Sequence, residues 1–176
     1  MLLRIEGSLP WKDRQGIAIV GSREPRDYSV RWLQSELRDF LVENSCFVAS
    51  GGARGIDQKA HLLSVQLAVP TVVFLPSGLD KVYPDSLGSF RNIIIESGGC
   101  FVSEYKSEDS MRKHHFAQRN RLISGISIAT LVIEAKIRSG TLLTARECIE
   151  QHRPLCVLPG HPLDTALAGN NSLLIE

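Results

Sequence analysis

Short apolar runs alternate with longer amphipathic stretches along this chain. Residues 17–20 form a β-branched run that stops at Gly21. Residues 31–42 place Trp32, Leu33, Leu37, Phe40 and Leu41 at helical spacing, which predicts a helix with one apolar face. Residues 46–49 return to a strand pattern and run into Ser50-Gly51-Gly52. A helix follows over 56–67, and a strand over 71–75 ends in Pro76-Ser77-Gly78. A helix over 87–97 is closed by Gly98-Gly99, before a strand over 100–103. Next come a short helix over 119–124 and a continuous apolar strand over 128–133. A helix over 140–151 takes Ser139 as its N-cap, and a last strand over 154–158 stops at Pro159-Gly160. Residues 104–115 are the longest polar connection and read as a surface loop, while 2–10 and 163–176 read as flanks.

Strands that are apolar throughout belong to a sheet buried on both faces, and the interleaved helices supply the cover. Right-handed crossovers then give an α/β fold, a doubly wound and mostly parallel Rossmann-like sheet with helices on both faces. A length of 176 residues suits one domain, and 43% hydrophobic with 22% charged residues is a globular composition. One domain is expected over residues 1–176, with 1–15 as a flanking segment.

Charge narrows the picture. The 20 basic and 19 acidic side chains leave a net charge of +1, so any polyanion site must come from local clustering. Residues 28–44 carry Glu36, Asp39 and Glu43, whereas 111–121 carry Arg112, Lys113, Arg119 and Arg121 without an acid. Cys46, Cys100, Cys148 and Cys156 have no C-x-x-C spacing and lie in apolar contexts. They read as buried free thiols in a reducing compartment, with no zinc site. His114-His115 lacks a suitably spaced third ligand, so no metal is expected. No signal peptide or membrane-spanning run is seen, and the expectation is a cytoplasmic protein with no membrane association.

Ligands of open parallel sheets bind beyond the carboxyl ends of the strands, and the unusual segments fall there. Ser22 and Arg23 follow the first strand, and Gly51, Gly52, Ala53 and Arg54 follow the second. Ser139 and Gly140 open a helix after the 128–133 strand. The glycines allow close backbone approach, and the helix starts favour anions. Arg23, Arg54, Arg119 and Arg121 offer planar phosphate contacts. Phe116 can stack on an unpaired base, and Asn120 can bond a base edge or sugar. Each also has a structural reading: Asp57 as a first-turn acid, Glu134 as a loop organiser, His61 as a core residue, Phe116 as a core anchor, Arg119 and Arg121 as ion-pair partners of acids such as Glu104. Placement on one rim is what makes them a site together. No G-x-S-x-G elbow, P-loop or G-x-G-x-x-G is present, and no Cys–His pair falls near the rim. No catalytic residues and no cofactor are therefore expected.

Several segments, in order, carry a resemblance: 16–23 (GIAIVGSR), 50–57 (SGGARGID), Gly78-Leu79-Asp80 with Tyr83-Pro84, Ser103-Glu104-Tyr105, 116–127 (FAQRNRLISGIS), 139–145 (SGTLLTA), and Pro159-Gly160 with Gly169-Asn170. The chain resembles the DNA-processing protein DprA family, also called Smf. The resemblance implies a non-catalytic Rossmann-like domain that binds single-stranded DNA in a basic pocket during natural transformation. It implies protection of incoming strands, loading of the RecA recombinase and homodimerisation. Carried over residue by residue, it puts Ser22, Arg23, Gly52, Ala53, Arg54, Arg119, Asn120 and Arg121 on DNA, with Ser139 and Gly140 in the same pocket. Ala117 stands where the family usually has proline. The N-terminal helical and C-terminal winged-helix modules of many members are expected to be absent. Two other functions compete: a nucleotide phosphoribohydrolase of the lysine-decarboxylase-like LOG group, faintly echoed by Ser139-Gly140-Thr141, and a nucleotide-sensing module.

Overall fold

A computed structural model of the protein describes residues 2–175. Seven strands form one sheet in the order β1-β5-β4-β3-β2-β6-β7. They are β1 (Arg4–Gly7), β2 (Gln15–Val20), β3 (Cys46–Ser50), β4 (Thr71–Phe74), β5 (Cys100–Ser103), β6 (Ser127–Val132) and β7 (Leu155–Val157). All neighbours are parallel except β1, which runs antiparallel to β5 at the edge. The helices are α1 (Asp27–Glu43), α2 (Ile56–Gln66), α3 (Asp85–Gly88), α4 (Arg91–Glu96), α5 (Lys113–Gly125), α6 (Gly140–Glu150) and α7 (Ala168–Leu173). The doubly wound α/β expectation therefore holds.

Strand parity splits the core between two faces. Ile17, Ile19 and Val48 pack against Leu33, Leu41 and Ile56 of α1 and α2. Ala18, Val20 and Ala49 point the other way, toward Ile123 of α5 and Ala145 of α6. On α1, Ser29, Leu33, Leu37 and Leu41 are buried at four-residue spacing. Each fully buried leucine or isoleucine contributes about 1.5–3 kcal/mol from area removed from water.

Several elements depart from the sequence reading. Residues 4–7 add the edge strand β1, and their alternating burial is what a half-exposed strand requires. Helix α5 starts at Lys113, inside the expected loop, so the Phe116–Arg121 stretch is helical throughout. The 87–97 helix is two short ones, α3 and α4. Within the C-terminal flank, residues 168–173 form α7. Cys46, Cys100 and Cys148 are buried as free thiols, but Cys156 on β7 is exposed.

Strand β2 is the hinge of the topology. From it the chain moves outward through β3, β4 and β5, then returns to lay β6 on its other side. The winding direction reverses between β2 and β6, which opens a crevice beyond their carboxyl ends.

Candidate functional site

That crevice is a cleft of about 460 Å³. One wall is Gly21, Ser22 and Arg23 after β2; the other is Lys136, Ser139 and Gly140 after β6. Phe116, Arg119, Asn120 and Ile123 of α5 form the third side, with Ala53 and Asp57 below. Residues from opposite ends of the sequence thus meet where the strand order demands.

The mouth is aromatic and carries Arg23 and Lys136 with one acid, Glu24, beside them. Arg23 is exposed, with its guanidinium carbon 5.6 Å from the centre of the Phe116 ring. Tyr83 meets the same ring edge-on, with centroids 5.9 Å apart. Cation–π and edge-to-face contacts hold this group in shape while leaving its outer surface wet. Arg54 lies beside it, in a shallow depression with Tyr83 and Phe116 rather than in the main cleft.

Arg119 has a different position from the one expected of a phosphate contact. Its side chain is buried, and Nη1 donates to the carbonyl oxygens of Gly51 (2.6 Å) and Phe74. The guanidinium binds together the carboxyl ends of β3 and β4 instead of pointing freely outward. Gly51 is the residue that makes room: a Cβ there would lie 2.6 Å from Nη1 and Nη2. Desolvation pulls Arg119 down to about 10 despite the nearby Asp57 charge. Burial likewise pushes Asp57 up to about 6, with Arg119 and the Ala53 N–H offsetting part of the rise.

Arg121 faces away. It does not line the cleft and pairs with Glu104. Residues two apart on a helix point in roughly opposite directions, so Arg119 and Arg121 cannot share one surface once α5 covers them both.

The glycine loop also departs from expectation. Gly52 has φ +69°, and a Cβ there would meet Leu87 at 2.4 Å, so this glycine serves packing and lies outside the cleft. At the start of α2 the Ala53 N–H donates to Asp57 (3.3 Å) and the Ile56 N–H to the Ser22 carbonyl (3.0 Å). That helix start is therefore occupied by the protein's own acceptors. The start of α6 is open: Gly140 is exposed, and a Cβ on it would meet nothing within 4 Å. Ser139 is the N-cap residue by position, but its hydroxyl caps nothing and is buried without a partner.

Supporting residues fix the walls. Glu134 Oε2 accepts from the Arg26 N–H (2.9 Å) and the Ser29 hydroxyl (2.7 Å), which ties the start of α1 to the end of β6. Asn170 accepts from the Ala135 N–H (2.6 Å) and donates to the Leu158 (2.8 Å) and Ile133 (3.1 Å) carbonyls. His61 is buried against Thr71, with Nδ1 2.7 Å from its Oγ1. The Thr71 hydroxyl donates to the Val48 carbonyl, so His61 must donate from Nδ1 and is held neutral. Desolvation, with Arg119 adding to it, pulls its pKa down to about 3. His115 is not a solvated loop residue: it is buried, and its Nδ1 lies 2.9 Å from the Pro76 carbonyl.

Sequence reasoning missed Glu24, Lys136 and Thr144 in the cleft. Lys136 stands just past the end of β6, and Thr144 follows Thr141 at helical spacing, so both positions carried a signal.

The whole chain, residues 1–176, matches the profile of a family described as DNA recombination-mediator protein A. The chain belongs to that family. Among its relatives, protein Smf of Escherichia coli K12 is 37% identical over 158 residues, covering 90% of this chain and 42% of the relative. The solved structure of DprA from Streptococcus pneumoniae superposes with a TM-score of 0.87 at 31% identity, over 98% of this chain and 60% of that one. DNA processing protein A from Helicobacter pylori, described for its single-stranded DNA binding mode, gives 0.86 at 30% identity, over 98% and 78%. Against the first two, the chain spans about half the length of the protein it matches. The fold keeps the sheet and helix arrangement of the DprA structures, and the switch-point cleft is lined from segments 16–23, 116–127 and 139–145. Among the described residues, no cluster of His, Cys, Asp and Glu could hold a metal ion, and no helix is long and apolar enough to cross a membrane.

Proposed function

We propose that this chain is the single-strand-binding core of a recombination mediator, holding DNA in the switch-point cleft without chemistry of its own. The observation that carries this is the Arg23–Phe116–Tyr83 group at the mouth of the cleft, facing the open start of α6. A base stacks on an aromatic face whatever its identity, while an adjacent guanidinium and free helix N–H groups take phosphates. Such a site suits a strand whose bases are unpaired. Family membership supports the same reading. In it, Ser22, Arg23, Ala53, Phe116, Asn120, Ser139 and Gly140 contact the strand, and Arg54 meets it at the rim. Arg119, Gly51 and Gly52 shape the site from below. The held strand is passed to a RecA-type recombinase, with two copies of the chain acting as a homodimer in the cytoplasm.

The test is a salt titration of binding to a poly-pyrimidine strand and to its duplex. Single strands should bind more tightly, with a log–log salt slope of about −0.7 per phosphate neutralised. Equal affinity for duplex would count heavily against the proposal. Release of free base from nucleoside monophosphates would replace it with the phosphoribohydrolase reading.

A further inference from the structure

Asp57 stands on the floor of the cleft at the start of α2, only 6% exposed. An anion site is an unfavourable place for a buried carboxylate. A phosphate brought into the cleft repels it, and a strand laid over the cleft removes its remaining water. Among the described residues no arginine or lysine forms an ion pair with Asp57. Arg119 acts on it only through its field, because Nη1 is committed to the Gly51 and Phe74 carbonyls. The Ala53 N–H reaches Asp57 Oδ2 at a long 3.3 Å.

The groups around Asp57 come from every side of the cleft. Helix α5 brings Arg119 and the neutral Asn120, and α6 brings the neutral Thr141 and Thr144. The loop after β2 carries Arg23 and Glu24, and the loop after β6 carries Lys136. Ser50 and Gly51 at the end of β3 lend hydrogen bonds. On α2 itself, His61 lies one turn along and is held neutral. No histidine lines the cleft among the described residues. Burial has already brought Asp57 up to about 6, a short way from neutral pH.

We propose that the cleft binds the strand and a proton together, and that Asp57 takes the proton. Protonation removes the negative charge buried beneath the phosphates and leaves the Arg119 charge uncancelled there. It also loosens the claim of Asp57 on the Ala53 N–H, which a phosphate oxygen can then share. Linkage fixes the sign. A ligand that raises the pKa of a group binds more tightly as pH falls from the bound-state pKa to the free-state one, and no more tightly below that. The inference rests on the single-strand reading of the cleft.

The test titrates an oligothymidylate of about 12 nucleotides, a length that small single-strand modules cover, against wild type and Asp57→Asn at fixed ionic strength. Thymine has no group that titrates between weakly acidic and weakly basic pH. Wild-type affinity should rise about tenfold between about pH 8 and about pH 6, the effect of a shift of about one pKa unit on binding. Calorimetry at about pH 6.5 in buffers of different ionisation enthalpy should show about half a proton taken up per bound strand. Asp57→Asn keeps an acceptor for the Ala53 N–H. It should take up about half a proton less, lose the tenfold rise, and bind at about pH 8 as tightly as wild type does near pH 6. Histidines outside the cleft are common to both proteins, so the difference between the two isolates Asp57. The wild-type calorimetry stands even if the variant folds poorly. No proton uptake by wild type, or the same pH slope in both proteins, would overturn the inference. Wild-type binding that depends on Mg²⁺ rather than on pH would give Asp57 to a bridging cation and overturn it too. Wild type that binds no strand at any pH would sink the single-strand reading itself, and this inference with it.

Discussion

The guanidinium of Arg119 lies directly against Gly51, with Nη1 2.6 Å from its carbonyl oxygen and no space between them for a β-carbon. An arginine from α5 and a glycine from the end of β3 thus form one unit under the cleft. Removing either side should unfold rather than merely weaken the site. Arg119→Ala orphans two buried carbonyls and leaves Asp57 without its counter-charge, at a cost of about 3 kcal/mol or more. Gly51→Ala should cost about 1–3 kcal/mol through overpacking. Urea denaturation measures both, and an Arg119→Ala protein as stable as wild type would refute the arrangement.

Arg23 and Phe116 should behave in the opposite way. Arg23 is exposed, so Arg23→Ala should change stability by no more than about 0.5 kcal/mol. Its single-strand affinity should fall, with the salt slope shallower by about 0.7. Phe116→Ala removes the stacking face and should cost about 1–3 kcal/mol of binding. Fluorescence anisotropy beside thermal melts separates the two effects.

Arg121 should matter little to the strand. It faces Glu104 outside the cleft, and both partners are partly exposed. A double-mutant cycle on the pair should give a coupling of about 0.2–1 kcal/mol. Arg121→Ala should leave single-strand affinity within about twofold of wild type, since it removes no cleft contact. A tenfold loss would return this residue to the binding surface.

Acid titration should reveal a compensation between His61 and Asp57. His61 is held down at about 3 against an ordinary 6.5, so the unfolded chain protonates first and stability falls below pH 6.5. Asp57 is held up at about 6 against 3.8, so the native state protonates first. Its favourable contribution is complete below pH 3.8 and lost as pH rises through 6. Between those values the two slopes oppose each other. His61→Gln removes one of them, so its stability relative to wild type should improve by about 1.4 kcal/mol per pH unit on descending from 6.5. A difference that stays constant with pH would show that His61 titrates normally.

Asn170 should prove a positioning residue. It holds the ends of β6 and β7 and the chain leading to Ser139 through backbone bonds. Asn170→Ala leaves those buried groups unpaired and should cost about 1–3 kcal/mol. Hydrogen exchange should locate the loosening at residues 132–140, whereas uniform exchange across the sheet would mean a general packing defect.

The order of strands and helices was legible because each apolar run had one period and most ended near glycine, proline or serine. The carboxyl-end rim followed from that order, and Arg23, Phe116 and Ser139 do share the cleft. The direction of each arginine on α5 was not legible. Arg119 finds its carbonyl partners 68 and 45 residues away in sequence, and no local pattern announces them. The closed start of α2 was hidden for the same reason, since its acceptor at Ser22 lies in the loop after β2. Strand β1 escaped notice because an edge strand of four residues, RIEG, alternates in burial and has no apolar run.

The pairing of β2 with β6 makes the site a report on completed folding. Segments made early and late in synthesis supply opposite walls, so a nascent or half-folded chain has nothing with which to grip a strand. A ligand held there bonds the two halves of the sheet to each other, and it stabilises the native state in proportion to the logarithm of its concentration above Kd. Bound DNA should therefore guard this protein against proteolysis at its centre, far from any residue the DNA touches.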